Sequence, residues 1–479
     1  MLAFKALKGA GWLVSSRFIG RIIDFFNLLI LARILTPADF GLVALAMSLV
    51  MVIDTVLEMP VTQALVRLPT IDKSHLDTGF TLSIMRSGVI VIAVMAATWP
   101  FAAFNHDTEL IPIVACLAIG PIVRGFFSPA MVHFARNLGF WQTFVMEVSG
   151  KLVAFAAAIA TLLAGGTYWA IVVNFVTSYT TSTIVSYLLA PYRPALSLAR
   201  FRDFAGFVGW YSAAQVVSAL NWQFDRVMIG ALSAKAALGR YAVASDVATL
   251  PTQSLIGPAL QPVMAAFSMI GSDHERLRLA FLKAARFAMV VSVPTCLGLS
   301  LTADLATTLL LGAQWTEAAP ILAILALSVA PIPYYQTLYS LCMAVDRTNE
   351  IFRLNWIDLV IRLVCLPVGF FAYAVVGVSL ARVVLALVMF GFYLASVRKL
   401  LGIGWLRQLA NIWKIVAAGL IMAAEVVLVR HLVAGLGLPT VIELGLVAGS
   451  GALGYAVALF ALGLRLRLGG GRFEIYDRR

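Results

Sequence analysis

The stretch Ser15-Ser16-Arg17-Phe18-Ile19-Gly20-Arg21-Ile22-Ile23-Asp24 sets two arginines and an aspartate inside a run that is otherwise apolar from about residue 9 to 32. At about 100° per residue the three charges fall within about 60° of one another on a helix, a stripe that Leu28 and Leu31 prolong. A charge at mid-bilayer costs upward of ~2.5 kcal/mol, so the stripe must face protein or a water-filled path. Guanidinium forks bind phosphate oxygens bidentately and stay charged in a low-dielectric site, which suits Arg17 and Arg21 to an anion. Asp24 offsets only one of the two charges and, isolated among arginines, is the first candidate for coupling to a proton or cation gradient. The plainer alternative is that Asp24 neutralises the arginines and the trio pins its helix to the neighbours. Both readings stay open.

Other charges lie within apolar runs. Arg124 and Arg382 fall about two turns from a span end and are candidates to line a cavity with Arg17 and Arg21. Glu147 with Lys151, and Asp358 with Arg362, are acid-then-base pairs at i and i+4, the favourable order for a bridge within one helix; they are lumen candidates or self-satisfied structural pairs. Arg86 and Arg286, near span ends, have stems long enough to snorkel. Asp54 with Glu58, Asn221 with Asp225, and Asp246 with Thr249 and Gln253 each share a helix face and could hydrate a lumen or hydrogen-bond between helices. The five histidines form no relay, and Cys116, Cys296, Cys342 and Cys365 each sit alone in apolar stretches, so neither a metal site nor a disulfide framework is expected. No GxxxxGKS phosphate loop is present, which argues against direct ATP hydrolysis. No cofactor and no enzymatic activity are expected.

The elements that hold these residues are membrane helices. The chain is 61% hydrophobic and 12% charged, with mean hydropathy +0.95, against about 25% charged residues in an ordinary globular domain. Windows of about 20 residues give spans near 9–32, 40–62, 78–100, 110–133, 141–164, 166–190, 204–230, 239–268, 281–311, 318–345, 350–373, 375–397, 411–433 and 439–463. That is an all-α polytopic protein of about fourteen transmembrane helices, since the alternating runs of a barrel are absent. The first run is too long and too charged for a cleavable signal, so none is expected.

Lysines and arginines collect at both termini and in even-numbered loops: Lys5, Lys8, Arg67, Lys73, Arg136, Arg193, Arg200, Arg276, Arg347, Arg398 and the tail Arg465, Arg467, Arg472, Arg478 and Arg479. Odd loops hold little besides Arg33, Lys235, Arg240 and Arg430, and residues 104–109 are acidic. Both termini are therefore expected in the cytoplasm. The net charge of +12 is largely topological, and no nucleic-acid-reading module accompanies it.

The chain also repeats. Gly41, Pro60 and Gln63 recur at one constant separation as Gly239, Pro258 and Gln261, and Arg136, Glu147 and Lys151 recur in a second register as Arg347, Asp358 and Arg362. Two parallel copies related by an axis along the membrane normal follow: an N-lobe of helices 1–6 (1–200), a C-lobe of helices 7–12 (201–400), and helices 13–14 with a basic cytoplasmic tail (401–479). Two six-helix lobes around a central cavity form an alternating-access architecture.

The run "GWLVSSRFIGRIIDFFNLLILARILTPADFGLVALA" and the later "DRVMIGALSAKAALGRYAVA", set in a six-plus-six-plus-two layout, resemble bacterial polysaccharide repeat-unit flippases of the Wzx type, within the multidrug, oligosaccharidyl-lipid and polysaccharide exporter superfamily. The resemblance runs over essentially the whole chain. It implies movement of undecaprenyl-pyrophosphate-linked oligosaccharide across the bacterial inner membrane, for exopolysaccharide, capsule or O-antigen, with membrane lipids around it and a polysaccharide polymerase complex as a further partner. Flippases of the peptidoglycan precursor lipid II carry a similar first-helix pattern. Ser16, Arg17, Gly20 and Asp24 match it, but the second arginine is displaced to Arg21 and Ile23 stands in its place, which argues against the lipid II reading. A drug or cation exporter of the same superfamily would be expected to show an acidic lumen, and a membrane polymerase or ligase a large outward loop; neither is seen.

Overall fold

The computed structural model describes residues 2–68, 70–137, 139–271, 273–469 and 472–477. The side chains of Lys5, Lys8, Arg67, Pro258, Gln261, Arg465, Arg467 and Arg472, and all of Arg478 and Arg479, named above for orientation or repeat, lie outside what it describes. The chain forms two compact units, Met1–Gly239 and Arg240–Arg479.

The first unit holds α1 (Leu2–Ile34), α2 (Pro37–Val56), α3 (Val61–Arg67), α4 (Lys73–Phe104), α5 (Leu110–Arg124), α6 (Val132–Arg136), α7 (Trp141–Leu163), α8 (Trp169–Leu189), α9 (Phe201–Leu232) and the first turn of α10 (Lys235–Pro251). The start of α2 is encoded locally. Thr36 and Asp39 form a capping box, with the Asp39 N–H donating to Thr36 Oγ1 at 3.2 Å and the Thr36 N–H to Asp39 Oδ2 at 2.9 Å. Pro37 takes the first helical position, where its missing N–H costs nothing. Helix α1 packs on α7, α7 on α8, and α5 against α2, α4 and α8. Helix α9, first of the second sequence repeat, packs on α2; for this reason the compact units divide later in the chain than the repeat does.

The second unit continues through a π-helical turn at Thr252–Ile256 into α11 (Gly257–Ile270), α12 (His274–Leu301), α13 (Ala303–Leu310), α14 (Ala319–Val329), α15 (Ile332–Ala344), α16 (Thr348–Leu401), α17 (Trp405–Ala434) and α18 (Thr440–Ala461). A straight helix as long as α16, 54 residues, would run ~80 Å, more than twice the ~30 Å hydrocarbon core. It breaks at Tyr373 and Ala374, the latter at φ 49°. A Cβ on Gly377 would overlap the Gly369 carbonyl oxygen and lie 2.8 Å from its carbon, so the two halves turn back on each other backbone to backbone. The core around them gathers Phe281, Tyr334, Leu338, Met389 and Ile415. A deep polar knot within it is satisfied: Tyr334 donates to Gln408 Oε1 at 2.6 Å, and Gln408 Nε2 donates to the Leu394 and Ile403 carbonyls at 3.1 and 2.7 Å.

Among the described residues, eight helical segments are long and apolar enough to cross a membrane, or nine if α5 and the helices at Pro129–Arg136, bent by 55°, count as one. Ile92, Trp99, Val364, Phe371, Leu420 and Leu432 are all more than half exposed, a surface that only lipid or another apolar partner solvates well. The protein is a helical, multi-pass membrane protein. One element departs from that pattern: after α18 the chain forms an antiparallel hairpin, β1 (Leu464–Gly469) with β2 (Arg472–Asp477), pairing Leu466 with Ile475 and Leu468 with Phe473. The alternation Leu-Arg-Leu-Arg-Leu from 464 to 468 has the period of two that a strand requires, a pattern that reading the tail only as basic passes over.

Candidate functional site

The first charged seam lies between α1 and α7. Buried Ser16 donates its hydroxyl to Glu147 Oε2, and the Lys151 ammonium pairs with the Asp24 carboxylate. The same ammonium donates to the Gly20 carbonyl at 3.2 Å. Gly20 makes room for it, since a Cβ there would already press on Lys151 Cε at 3.2 Å. Glu147 and Lys151, one turn apart, therefore reach across to α1 instead of closing on each other, and Asp24 has Lys151 for a partner instead of the arginines. The consequence is electrostatic. Arg17 and Arg21 are exposed on α1 and have no acidic partner among the described residues, so the stripe keeps both positive charges.

A second cluster joins α2, α4 and α5. Arg86 is buried, bonds the Asp54 carboxylate, and donates to the Leu57 and Asp54 carbonyls at 2.7 and 2.8 Å. It thus satisfies carbonyls left open at the end of α2 and does not snorkel. Arg124, half exposed at 48%, stands 3.7 Å from the other Asp54 oxygen and 3.8 Å from Glu58. Two cations and two carboxylates balance formally, but Arg86 takes the tight share of Asp54 and leaves Arg124 loosely held.

In the second unit, Arg362 donates through Nε and Nη2 to Asp358 Oδ2 at 3.2 and 3.0 Å, with both side chains largely buried. Nearby Tyr335 donates to Asn355 Oδ1 at 3.2 Å and stacks on Tyr393 at 4.9 Å between centroids. Arg382, partly buried, donates to the Tyr241 and Ser245 hydroxyls at 3.3 and 3.4 Å. Arg286 donates to Asn411 Oδ1 at 3.0 Å. Among the described residues there is no group of three or more His, Cys, Asp or Glu side chains placed to hold a metal ion.

Sequence reasoning missed the links between helices: Ser16 to Glu147, Lys151 to Asp24, Arg86 and Arg124 to Asp54, Arg124 to Glu58, and Arg382 to Tyr241 and Ser245. The signal that was available is cost: each sets a polar or charged group inside an apolar run, where an unpaired group would be expensive, although the partner can lie 131 residues away, as Glu147 does from Ser16.

Outside the spans, Lys235 at the start of α10 pairs with Asp107 at 2.5 Å and Glu109 at 3.3 Å. Burial works against its charge, but the hydrogen bonds and charges of the two acids outweigh burial and raise it above the usual lysine range. At the start of α4, hydrogen bonds from the Ser74 side chain and the His75 backbone and ring hold the Asp72 carboxyl far below the usual carboxylate range.

The backbone matches the lipid II flippase MurJ in an inward closed conformation with a TM-score of 0.75, covering 93% of this chain and 97% of that one at 15% identity. It also matches an inward-facing multidrug resistance MATE transporter of the MOP superfamily with a TM-score of 0.62, over 81% of this chain and 98% of that one at 14% identity. The fold is that of the MOP superfamily transporters. Residues 30–320 match the family described as polysaccharide biosynthesis protein, and the chain belongs to that family. Relatives include the lipopolysaccharide biosynthesis protein WzxC of Escherichia coli, 21% identical over 85% of this chain and 84% of its own length. The teichuronic acid biosynthesis protein TuaB of Bacillus subtilis is 23% identical over 67% of each chain. With its apolar helices and membrane-transport relatives, the protein is a multi-pass protein of the bacterial inner membrane.

Proposed function

We propose that this protein flips undecaprenyl-pyrophosphate-linked oligosaccharide repeat units from the inner to the outer leaflet, by alternating access through a cationic path, for exopolysaccharide, capsule or O-antigen assembly. The carrying observation is the pair Arg17 and Arg21. They lie roughly 12 and 18 Å along a span that begins near residue 9, exposed and without an acid among the described residues, while Lys151 neutralises Asp24. Two uncompensated guanidinium groups at that depth are very costly unless an anion and water meet them. A pyrophosphate supplies that anion with oxygens that fit the guanidinium fork, and the lipid tail need never leave the bilayer. Arg124, loosely held, and Arg382, on two hydroxyls, are the further groups proposed to meet the headgroup.

The layout proposed for this activity is fourteen crossings in two six-helix lobes, 1–200 and 201–400, with 401–479 appended and both termini cytoplasmic. A proton or cation gradient drives the return step, with Asp24 as exchange position: a proton or cation there must displace Lys151. The test is reconstitution in vesicles with a fluorescent undecaprenyl-pyrophosphate oligosaccharide, following the probe that becomes accessible to a membrane-impermeant quencher. Arg17→Ala is expected to abolish transfer while the protein stays folded and inserted. Undiminished transfer by an Arg17→Ala, Arg21→Ala double variant would remove the stripe from the mechanism, and export of organic cations without lipid transfer would favour a drug exporter instead.

A further inference from the structure

The strongest feature outside that stripe is a backbone crossing between α2 and α10. A Cβ on Gly41 would overlap the Lys235 carbonyl oxygen and lie 2.6 Å from its carbon and 3.0 Å from the Gly239 nitrogen. A Cβ on Gly239 would overlap the Pro37 carbonyl oxygen and lie 2.8 Å from its carbon and 2.8 Å from the Gly41 nitrogen. The contact is reciprocal. Gly41 and Gly239 are equivalent positions of the two sequence repeats, and so are Pro37 and Lys235. Each glycine thus seats on the carbonyl four residues before its counterpart, one turn into its helix. The contact is the close approach that small residues permit in membranes, where packing and weak Cα–H···O bonds replace the hydrophobic effect.

Lys235 adds a second, independent tie at the same point. While its carbonyl receives Gly41, its ammonium holds Asp107 at 2.5 Å and Glu109 at 3.3 Å. Those two acids bracket the turn between α4 and α5, so one residue of the second repeat clasps two separate elements of the first. The side of the membrane follows from the charge distribution proposed above, which puts residues 104–109 and 235 at the outward end.

We propose that the Gly41–Gly239 crossing, latched by Lys235 on Asp107 and Glu109, is the outer gate of the transport path, and that outward opening separates α2 from α10 at this point. The inference rests on the flippase reading for its purpose but not for its test. In a background where the four native cysteines are replaced, Lys235→Cys and Asp107→Cys are joined by a short bifunctional thiol reagent with a reducible link. Linking is expected to stop lipid transfer in vesicles, and reduction to restore it. Transfer at the unlinked rate after complete linking would overturn the gate and leave the flippase reading intact. A second readout needs no transport: adding Gly239→Ala to the pair wedges the crossing apart and is expected to lower linking yield several-fold, and an unchanged yield would overturn the proposal even if the protein moves some other cargo.

Discussion

Two arginines in one cluster illustrate how partner geometry decides a residue's work. Arg86 is buried and bonds a carboxylate and two carbonyls at the end of α2, so removing it strands Asp54 in a buried site. Arg86→Ala is expected to destabilise by about 3–5 kcal/mol, read as a large drop in unfolding temperature in detergent. Arg124, at 48% exposure and 3.7–3.8 Å from its acids, is the opposite case. Arg124→Ala is expected to cost under ~1 kcal/mol of stability while lowering lipid transfer at least several-fold. Equal losses of stability in the two variants would show that both residues are structural. The α1–α7 seam offers a reciprocal check: Asp24→Lys alone sets like charges against Lys151, and the swap Asp24→Lys with Lys151→Asp is expected to regain membrane abundance. Failure of the swap to improve on Asp24→Lys would mean the pair is not what holds these helices together.

At the scale of elements, the start of α4 gives a pH-dependent test. His75 is flanked by Asp72 at 2.6 Å and Asp203 of α9 at 3.4 Å, and Arg200 reaches Asp72 at 3.6 Å and Ser74 at 3.3 Å. A carboxyl lowered in the folded state adds stability that is fully present above its unfolded pKa, about 3.9, and is lost as pH falls through the folded value. The advantage of wild type over Asp72→Asn in unfolding temperature is therefore expected to hold from pH 7 to pH 5 and to shrink only below about pH 4. A gap that closes between pH 7 and pH 5 would show that the Asp72 carboxyl is not the source of the advantage. The helices themselves were legible in sequence because a ~30 Å apolar core demands long hydrophobic runs, and the Thr36-Asp39 box marks a start in plain local code. The pairings were not legible. An acid and a base one turn apart, such as Glu147 and Lys151, look self-sufficient until a second helix offers Ser16 and Asp24, whereas Asp358 and Arg362 at the same spacing do close on each other. Which happens depends on what the neighbouring helix presents, and a single helix's sequence carries no record of that. The tail hairpin was readable from its Leu-Arg alternation and was obscured by reading those arginines only as charge.

At the scale of the whole molecule, charge is distributed by pairing as well as by number. Three cations in the loops expected outside are held by acids: Lys235 by Asp107 and Glu109, Arg240 by Glu317 at 2.5 Å, and Arg430 by Asp304 at 2.5 Å. Pairing does not tell the two sides apart, since Arg200, Arg276 and Arg278 on the side expected inside are held by Asp72, Asp273 and Glu275; the expected orientation rests on the number of lysines and arginines, which favours the even loops and the termini. Orientation then makes a definite prediction at exposed loop positions. Cysteines placed at Thr108, in the turn after α4, and at Gln314, between α13 and α14, are expected to react with a membrane-impermeant maleimide applied to intact spheroplasts. A cysteine at Thr348, at the start of α16, is expected to react only after the membrane is permeabilised. Reversing the charges that set this bias supplies the control, since Lys235→Glu leaves Asp107 and Glu109 unopposed and makes the outward side more acidic, a change the positive-inside rule tolerates. The labelling pattern should persist in that variant even where transfer is lost. Labelling of Thr348→Cys from outside in the intact cell would invert the topology and, with it, move the α2–α10 crossing from the exit of the path to its entrance.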